Sequence, residues 1–264
     1  MMIPAEQALA VAVLAARRAG EHVMGQLDRR HDVNRADKFD VKHKLDVEAQ
    51  EVAMGVIRAA YPEHAVLGEE SADSPLPDSD YLWVVDPIDG TVNFFHGTPW
   101  WCCSVAFQYR GETIAGAVFA PELGRCFTAT ADGPALCNGK PIHVSDLTDP
   151  QLATFATGSG GFFKGQFTTT FIEAIGKRVQ RIRINGAAAL DLCMVAAGAI
   201  DGYFEAGIYL WDIAAGGLIV RQAGGCAEAL VDHGGYKLGY LAGPPGLFSL
   251  YREALAPLMV PSRD

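Results

Sequence analysis

The chain is short of positive charge, of long apolar runs and of paired cysteines, and each shortage excludes a class of protein. It has 21 Lys and Arg against 31 Asp and Glu, for a formal net charge of −10. Nucleic-acid and anionic-membrane surfaces reward clustered Lys and Arg, so neither is an expected partner. A small phosphorylated substrate stays open, because divalent cations screen local carboxylates. No apolar run approaches the ~20 residues of a membrane-spanning helix. The N-terminus lacks the shape of a secretory signal, since Glu6 precedes the apolar stretch and Arg17, Arg18 and Glu21 follow it in helical context. None of the six cysteines (Cys102, Cys103, Cys126, Cys137, Cys193, Cys226) stands in a C-x-x-C pair, and most sit inside apolar runs. They read as buried thiols of a reducing compartment, and the expected location is cytoplasmic. The sequence also lacks internal repeats, low-complexity tracts and long linkers.

What is present is globular: 50% hydrophobic and 20% charged residues in a chain of 264, enough for one large domain or two small ones sharing a core. Residues 5–27 read as an Ala-rich helix. Residues 45–60 read as a second, with Leu45, Ala49, Val52 and Val56 on one face and Pro62 after the stop. Two apolar runs follow. Ala65-Val66-Leu67 ends in Gly68-Glu69-Glu70, and Leu82-Trp83-Val84-Val85 ends in Asp86-Pro87, so both read as buried strands with acids at their carboxyl ends. From 102 to 144 the pattern is strand and turn, as in an antiparallel meander. Residues 187–198 read as helix, 201–206 as strand and 213–223 as helix capped by Gly224-Gly225. The change of pattern near 145–150 places a boundary there, and the class is α/β or α+β with layered sheets and helices.

The chemistry concentrates in Asp86-Pro87-Ile88-Asp89-Gly90-Thr91-Val92-Asn93-Phe94. Two carboxylates stand three residues apart where a strand ends. Pro87 stiffens the turn, and Gly90 allows close backbone approach to an anion. If 90–93 starts a helix, its free N–H groups suit a phosphate. Glu69 and Glu70 end the preceding strand, and Trp211-Asp212 opens a helix downstream. Carboxylates converging without Lys or Arg repel one another, and a hard cation with oxygen ligands such as Mg²⁺ resolves this. Each piece alone also reads as ordinary structure: Asp-Gly as a turn, Glu-Glu as a solvated loop, Trp-Asp as a packed ring and helix cap.

Together the pieces resemble the inositol monophosphatase family. The resemblance rests on Gly68-Glu69-Glu70-Ser71, on Asp86 to Thr91 with Asn93-Phe94, on Cys137-Asn138-Gly139 before Val144-Ser145, and on Trp211 to Gly216, and it covers nearly the whole chain. It implies a layered αβαβα sandwich of the inositol monophosphatase and fructose-1,6-bisphosphatase type. An N-terminal α+β half (1–147) would carry most metal ligands, and a C-terminal α/β half (148–264) one ligand and the substrate pocket. It implies two to three Mg²⁺ ions held by Glu69, Asp86, the Ile88 carbonyl, Asp89 and Asp212. Thr91 and Asp46 would position the attacking water, Glu69 would share in catalysis, and Gly90 and Thr91 amides would take the phosphate. Arg183, Gly186, Ala188 and Glu205, with Asp89 and Asp212, would line the substrate, with Asn185 in the same segment.

The implied reaction is in-line hydrolysis of a phosphate monoester, foremost inositol 1-phosphate, in a lithium-sensitive homodimer. The alternatives are histidinol phosphate, fructose 1,6-bisphosphate or a nucleotide phosphate as substrate, or a non-catalytic regulator contacting the transcription machinery. Three positions depart from the family pattern: His43 for Thr, Val92 for Thr and Ile184 for Ser. They bear on substrate range more than on activity. The stretch from Pro99 to Cys103 suits either a dimer interface or the core.

Overall fold

A computed structural model describes residues 3–36, 41–72, 79–158 and 167–258. In chain order its first half runs α1 (Ala5–Met24), β1 (Val33–Ala36), β2 (Val41–His43), α2 (Lys44–Ala60), β3 (Ala65–Gly68), β4 (Tyr81–Asp89), α3 (Thr91–His96), β5 (Cys102–Tyr109), β6 (Glu112–Ala120), β7 (Arg125–Thr130), β8 (Leu136–Cys137) and β9 (Lys140–Pro141). Its second half runs β10 (Thr154–Thr157), α4 (Phe167–Gly176), β11 (Arg181–Arg183), α5 (Ala188–Ala196), β12 (Gly202–Tyr209), α6 (Leu210–Gln222), β13 (Cys226–Gly234), β14 (Lys237–Gly243) and α7 (Pro245–Leu255).

Strands β3 to β9 lie side by side in chain order as one seven-stranded sheet, parallel at β3–β4 and antiparallel from β4 onward. The five-stranded sheet has the order β11-β10-β12-β14-β13 and is parallel on the β10 side, antiparallel on the β14 side. Side chains alternate between faces along a strand. Accordingly Trp83, Val85, Cys103, Val105, Phe107, Ala115, Ala117 and Phe119 face α1 and α2, while Val84, Cys102, Ala106, Val118 and Phe127 face α5 and α6. In the second sheet Tyr203, Tyr240 and Ala242 turn to α5 and α6, and Phe155, Phe204 and Leu241 turn to α4 and α7. The layers are therefore helix, sheet, helix, sheet, helix.

The helices carry the composition their layers demand. α1 buries Ala8, Ala12, Ala15, Ala16, Ala19 and Gly20. These small residues let it lie close on β6: a Cβ on Gly20 would stand 2.8 Å from the Phe119 ring. α5 is buried along its whole length and α6 nearly so. A helix that is apolar all round belongs between two layers, and both sheets cover this pair. The six cysteines are free thiols; Cys102, Cys103, Cys126 and Cys193 are buried. Trp101, Cys102 and Cys103 have no exposed surface and belong to the core, whereas Pro99 is exposed and Trp100 half-buried. No described helix is long and apolar enough to cross a membrane.

One expectation needs correction. The sequence suggests that the second apolar strand stops at Asp86, yet β4 continues through Pro87 and Ile88 to Asp89. Asp86 pairs with Ser104 and Asp89 with Cys102, so three steps on β4 match two on β5. The surplus residue is a β-bulge. In a regular strand residues three apart point to opposite faces. The bulge brings Asp86 and Asp89 to the α5/α6 face together, while Val85 and Ile88 both join the core under α1 and α2.

Candidate active site

At this end of β4 three carboxylates converge. Asp86, Asp89 and Asp212 each place an oxygen within 4.8 Å of the other two. Asp212 arrives from α6, where its Oδ2 accepts the Tyr209 N–H at 3.0 Å and so caps the helix that carries it. The turn is packed by Trp211, stacked on Tyr209 with centroids 4.7 Å apart, and by Ser104, whose hydroxyl donates to the Trp211 carbonyl. Glu69 enters from the short 3-10 turn after β3. Gln50 of α2 holds that turn by accepting the Glu70 N–H at 2.9 Å, and a Cβ on Gly68 would collide with the Gln50 amide.

The electrostatics of the cluster are severe. Burial, then the charges of Glu69, Asp89 and Asp212, push Asp86 well above the usual carboxylate range. Asp86 Oδ1 is buried and has no hydrogen-bond partner. Burial, then Glu69 and Asp89, also raise Asp212. Asp89 is raised to about 6 by burial, against the pull of the Leu190, Ala188 and Ala189 amides and the Cys102 thiol. An orphaned buried oxygen among crowded carboxylates is the environment a hard divalent cation completes. The donor set is all oxygen, which fits Mg²⁺.

Next to the cluster the chain turns into α3. Gly90 adopts φ +90° at the helix start, where a Cβ would stand 2.8 Å from the Trp100 carbonyl and 3.0 Å from Ala187. Only glycine accommodates both conditions. Thr91 Oγ1 donates to the Ile88 carbonyl at 2.9 Å. That carbonyl, which keeps a second lone pair, is the one the family resemblance implies as a backbone ligand. Asp46 is buried in the first turn of α2, near enough to the Cys103 thiol to help raise it.

The segment after β11 closes the other side. Asp89 accepts the Ala188 N–H at 3.0 Å, the Ala189 N–H at 2.8 Å and the Leu190 N–H at 3.3 Å. These are the first-turn amides of α5, whose own N-cap position is Ala187, a residue with nothing to offer them. Gly186, at φ +80°, sits against Asn93. Asn93 Nδ2 donates to the Trp100 carbonyl at 2.8 Å and to the Asn185 carbonyl at 2.7 Å. Asp191 Oδ1 accepts from Asn185 Nδ2 at 2.8 Å and from Trp100 Nε1 at 3.2 Å. Glu205 is buried on β12, accepts the Tyr203 hydroxyl at 2.9 Å and lies under Gly158, where a Cβ would overlap its carboxylate.

The structure thus gathers Glu69, Asp86, Ile88, Asp89, Gly90, Thr91, Gly186, Ala188 and Asp212 in one place. Ala188, expected to line the substrate, has its amide bonded to Asp89. Arg183 is exposed at the end of the edge strand β11. Val92 and Ile184 are exposed, and the side chain of His43 lies outside the described residues. Sequence reasoning passed over Asp191, although it is the lone charged residue between Ala187 and Gly198, an available signal.

Comparison with known proteins agrees with this geometry. The sequence pattern of the inositol monophosphatase family matches residues 5–242. Nus factor SuhB of Escherichia coli (strain K12) is 37% identical over 235 residues, 87% of this chain and 88% of that protein. Among solved structures, the extragenic suppressor protein suhB of Bartonella henselae superposes with a TM-score of 0.85 at 30% identity, covering 93% of this chain and 97% of that one. An inositol monophosphatase from Anabaena (Nostoc) sp. PCC 7120 gives 0.81 at 29% identity over 96% of each.

Proposed function

Because this chain belongs to the inositol monophosphatase family, we propose that it hydrolyses phosphate monoesters with Mg²⁺ and that its substrate is a small phosphorylated polyol such as inositol 1-phosphate. The observation that carries the reading is the buried, unpartnered Asp86 Oδ1 inside a cluster of three carboxylates beside the start of α3.

Asp86, Asp89, Asp212, Glu69 and the Ile88 carbonyl are the residues that would hold two to three Mg²⁺ ions. When bound, such ions lower the pKa of water and neutralise charge on a phosphoryl group. The protein's own groups supply position. The first amides of α3, at Gly90 and Thr91, have no partner within the helix and face an anion favourably. Thr91, already tied to the Ile88 carbonyl, and Asp46 orient the proton of the attacking water. Glu205, Gly186 and Ala188 shape the polyol side, with Arg183 at its exposed margin. The buried Glu205 carboxylate supports a hydroxyl-rich leaving group over an apolar one, because a buried acceptor discriminates against groups that cannot pair with it.

The test is phosphate release with Mg²⁺ from inositol 1-phosphate, glycerol 2-phosphate, histidinol phosphate, fructose 1,6-bisphosphate and a nucleotide monophosphate, each with an EDTA control. Inositol 1-phosphate turned over best, and only with Mg²⁺, is the expected result. Another preferred substrate would retain the mechanism and shift the polyol assignment. A second reading takes its support from the Nus factor name of the Escherichia coli relative: this chain would act as a regulatory protein at the transcription machinery. Stoichiometric recovery of RNA polymerase by the folded protein, with no turnover of any of the five esters, would put that reading first.

A further inference from the structure

Asp89 is shared between two tasks. It belongs to the carboxylate cluster, and it also caps α5 from across the fold, accepting three amides about a hundred positions along the chain. The place of α5 and the place of Asp89 therefore fix one another, and whatever seats the first turn of α5 seats a member of the cluster. Ala187 cannot do so locally, since it has no side-chain acceptor.

The geometry points to Asp191 as a positioning residue that, with Asn185, Trp100 and Asn93, clamps the 185–191 segment onto the β4–α3 turn and thereby holds Asp89 and the Gly90 loop in register. Asp191 stands in the first turn of α5, 1% exposed, and one oxygen receives donors from both sides of the site. Trp100 reaches it from the approach to β5, and Asn185 from the loop before α5. Asn185 in turn offers its carbonyl to Asn93 of α3, and Asn93 also grips the Trp100 carbonyl. The circuit closes on itself: Asn93, Asn185, Asp191, Trp100 and back to Asn93. Gly90 and Gly186 face each other across it, with a Gly90 Cβ position only 3.3 Å from the Gly186 carbonyl. There is no slack for the two strands of chain to drift independently.

This inference rests on the phosphatase reading for its kinetic consequence but not for its structural one, and two readouts separate them. The first is amide exchange at Ala188, Ala189 and Leu190. The second is the Mg²⁺ concentration that half-saturates turnover of inositol 1-phosphate. Asp191→Ala removes the shared acceptor; the expected result is exchange about tenfold faster at those amides and a half-saturating Mg²⁺ concentration about tenfold higher, because displacements of about 1 Å in a site carry penalties of this order or more. Loss of global stability alone would lower the active fraction and leave the Mg²⁺ requirement unchanged. Asp191→Asn keeps a carbonyl oxygen for the same two donors and is expected to stay within about twofold of wild type in both readouts. If Asp191→Ala does not fold, Trp100→Phe removes one donor only and should move both readouts the same way by about threefold, as expected for a single lost hydrogen bond. Unchanged exchange and Mg²⁺ requirement in Asp191→Ala, or in Trp100→Phe where that variant stands in, would overturn the inference, and so would damage in Asp191→Asn equal to that in Asp191→Ala. A wild type that turns over none of the esters would instead sink the phosphatase reading, and amide exchange would still decide the clamp.

Discussion

Two groups of acids in this fold live under opposite rules. At the α1–α2 corner Glu48 accepts from Arg29 at 2.7 and 3.0 Å and stands 3.2 Å from His22 Nε2, while Asp32 is bridged by Arg29 and by Lys44 at 2.7 Å. The Arg29 hydrogen bond, foremost, holds Glu48 down to about 2. At the end of β4 the carboxylates have each other and burial, and they are held up. The corner is electrostatically complete without help. The cluster is not, and its deficit is what a cation would fill. An acid's neighbours, more than its identity, decide whether it stabilises the fold or serves chemistry.

The hardest break of that contrast is Asp86→Asn. It should lower phosphate release at least about a thousandfold, in keeping with loss of a central electrostatic element. In EDTA the same variant should melt higher than wild type by about 1–2 kcal/mol of stability, since it removes one of the like charges that burial crowds together. Thermal melts with and without Mg²⁺ check both halves. A variant that melts lower in EDTA would mean that the Asp86–Asp212 contact outweighs the repulsion in the cluster.

The next comparison is in pH. Asp89 is raised from 3.8 to about 6, so folding favours its protonated form; its contribution is complete below pH 3.8 and is lost as pH rises towards 6. Glu48 is lowered from 4.5 to about 2; its contribution is complete above pH 4.5 and is lost as pH falls towards 2. In EDTA, Asp89→Asn should therefore flatten the decline in melting temperature between pH 4 and 6, and Glu48→Gln the decline below pH 4.5. Saturating Mg²⁺ at one hundred times its dissociation constant should add about 2.7 kcal/mol to wild type at pH 7.5 and nothing comparable to Asp86→Asn. The smallest effect is Glu48→Gln at neutral pH. Its side chain is 38% exposed, so solvent screening limits the loss to about 1 kcal/mol or less, and turnover should stay within about twofold of wild type.

Much of this was legible in the residues. The 45–60 helix appears as Lys44–Ala60, the 5–27 helix as Ala5–Met24, and the Glu69, Asp86 and Trp211-Asp212 punctuation marks where the cluster forms. These signals are local: an apolar period, a cap, an acid after a strand. What escaped was non-local. That Asp89 would cap α5, and that Asn93 would bind Asn185, depends on a chain path closing over some ninety residues, which no window of periodicity contains. The continuation of β4 past Pro87 escaped for another reason. Proline usually argues against a strand interior, but at a bulge its missing N–H costs the ladder nothing.

That bulge makes the spacing of the two aspartates a matter of parity. An even separation would suit a regular strand and an odd one a strand with a single extra residue; the pair at 86 and 89 is odd, so the motif can be lengthened or shortened only by two residues together, or by one with loss of the bulge. A one-residue deletion at Ile88 would leave both acids and the proline in the sequence and match two steps on β4 to two on β5, so the carboxylates would keep a common face only by losing the bulge; a bulge retained after that deletion would point one of them into the apolar layer beneath α1 and α2. Searching a strand end for acids three apart therefore finds something that counting acids does not: a place where the backbone has already been bent to bring two like charges to the same side.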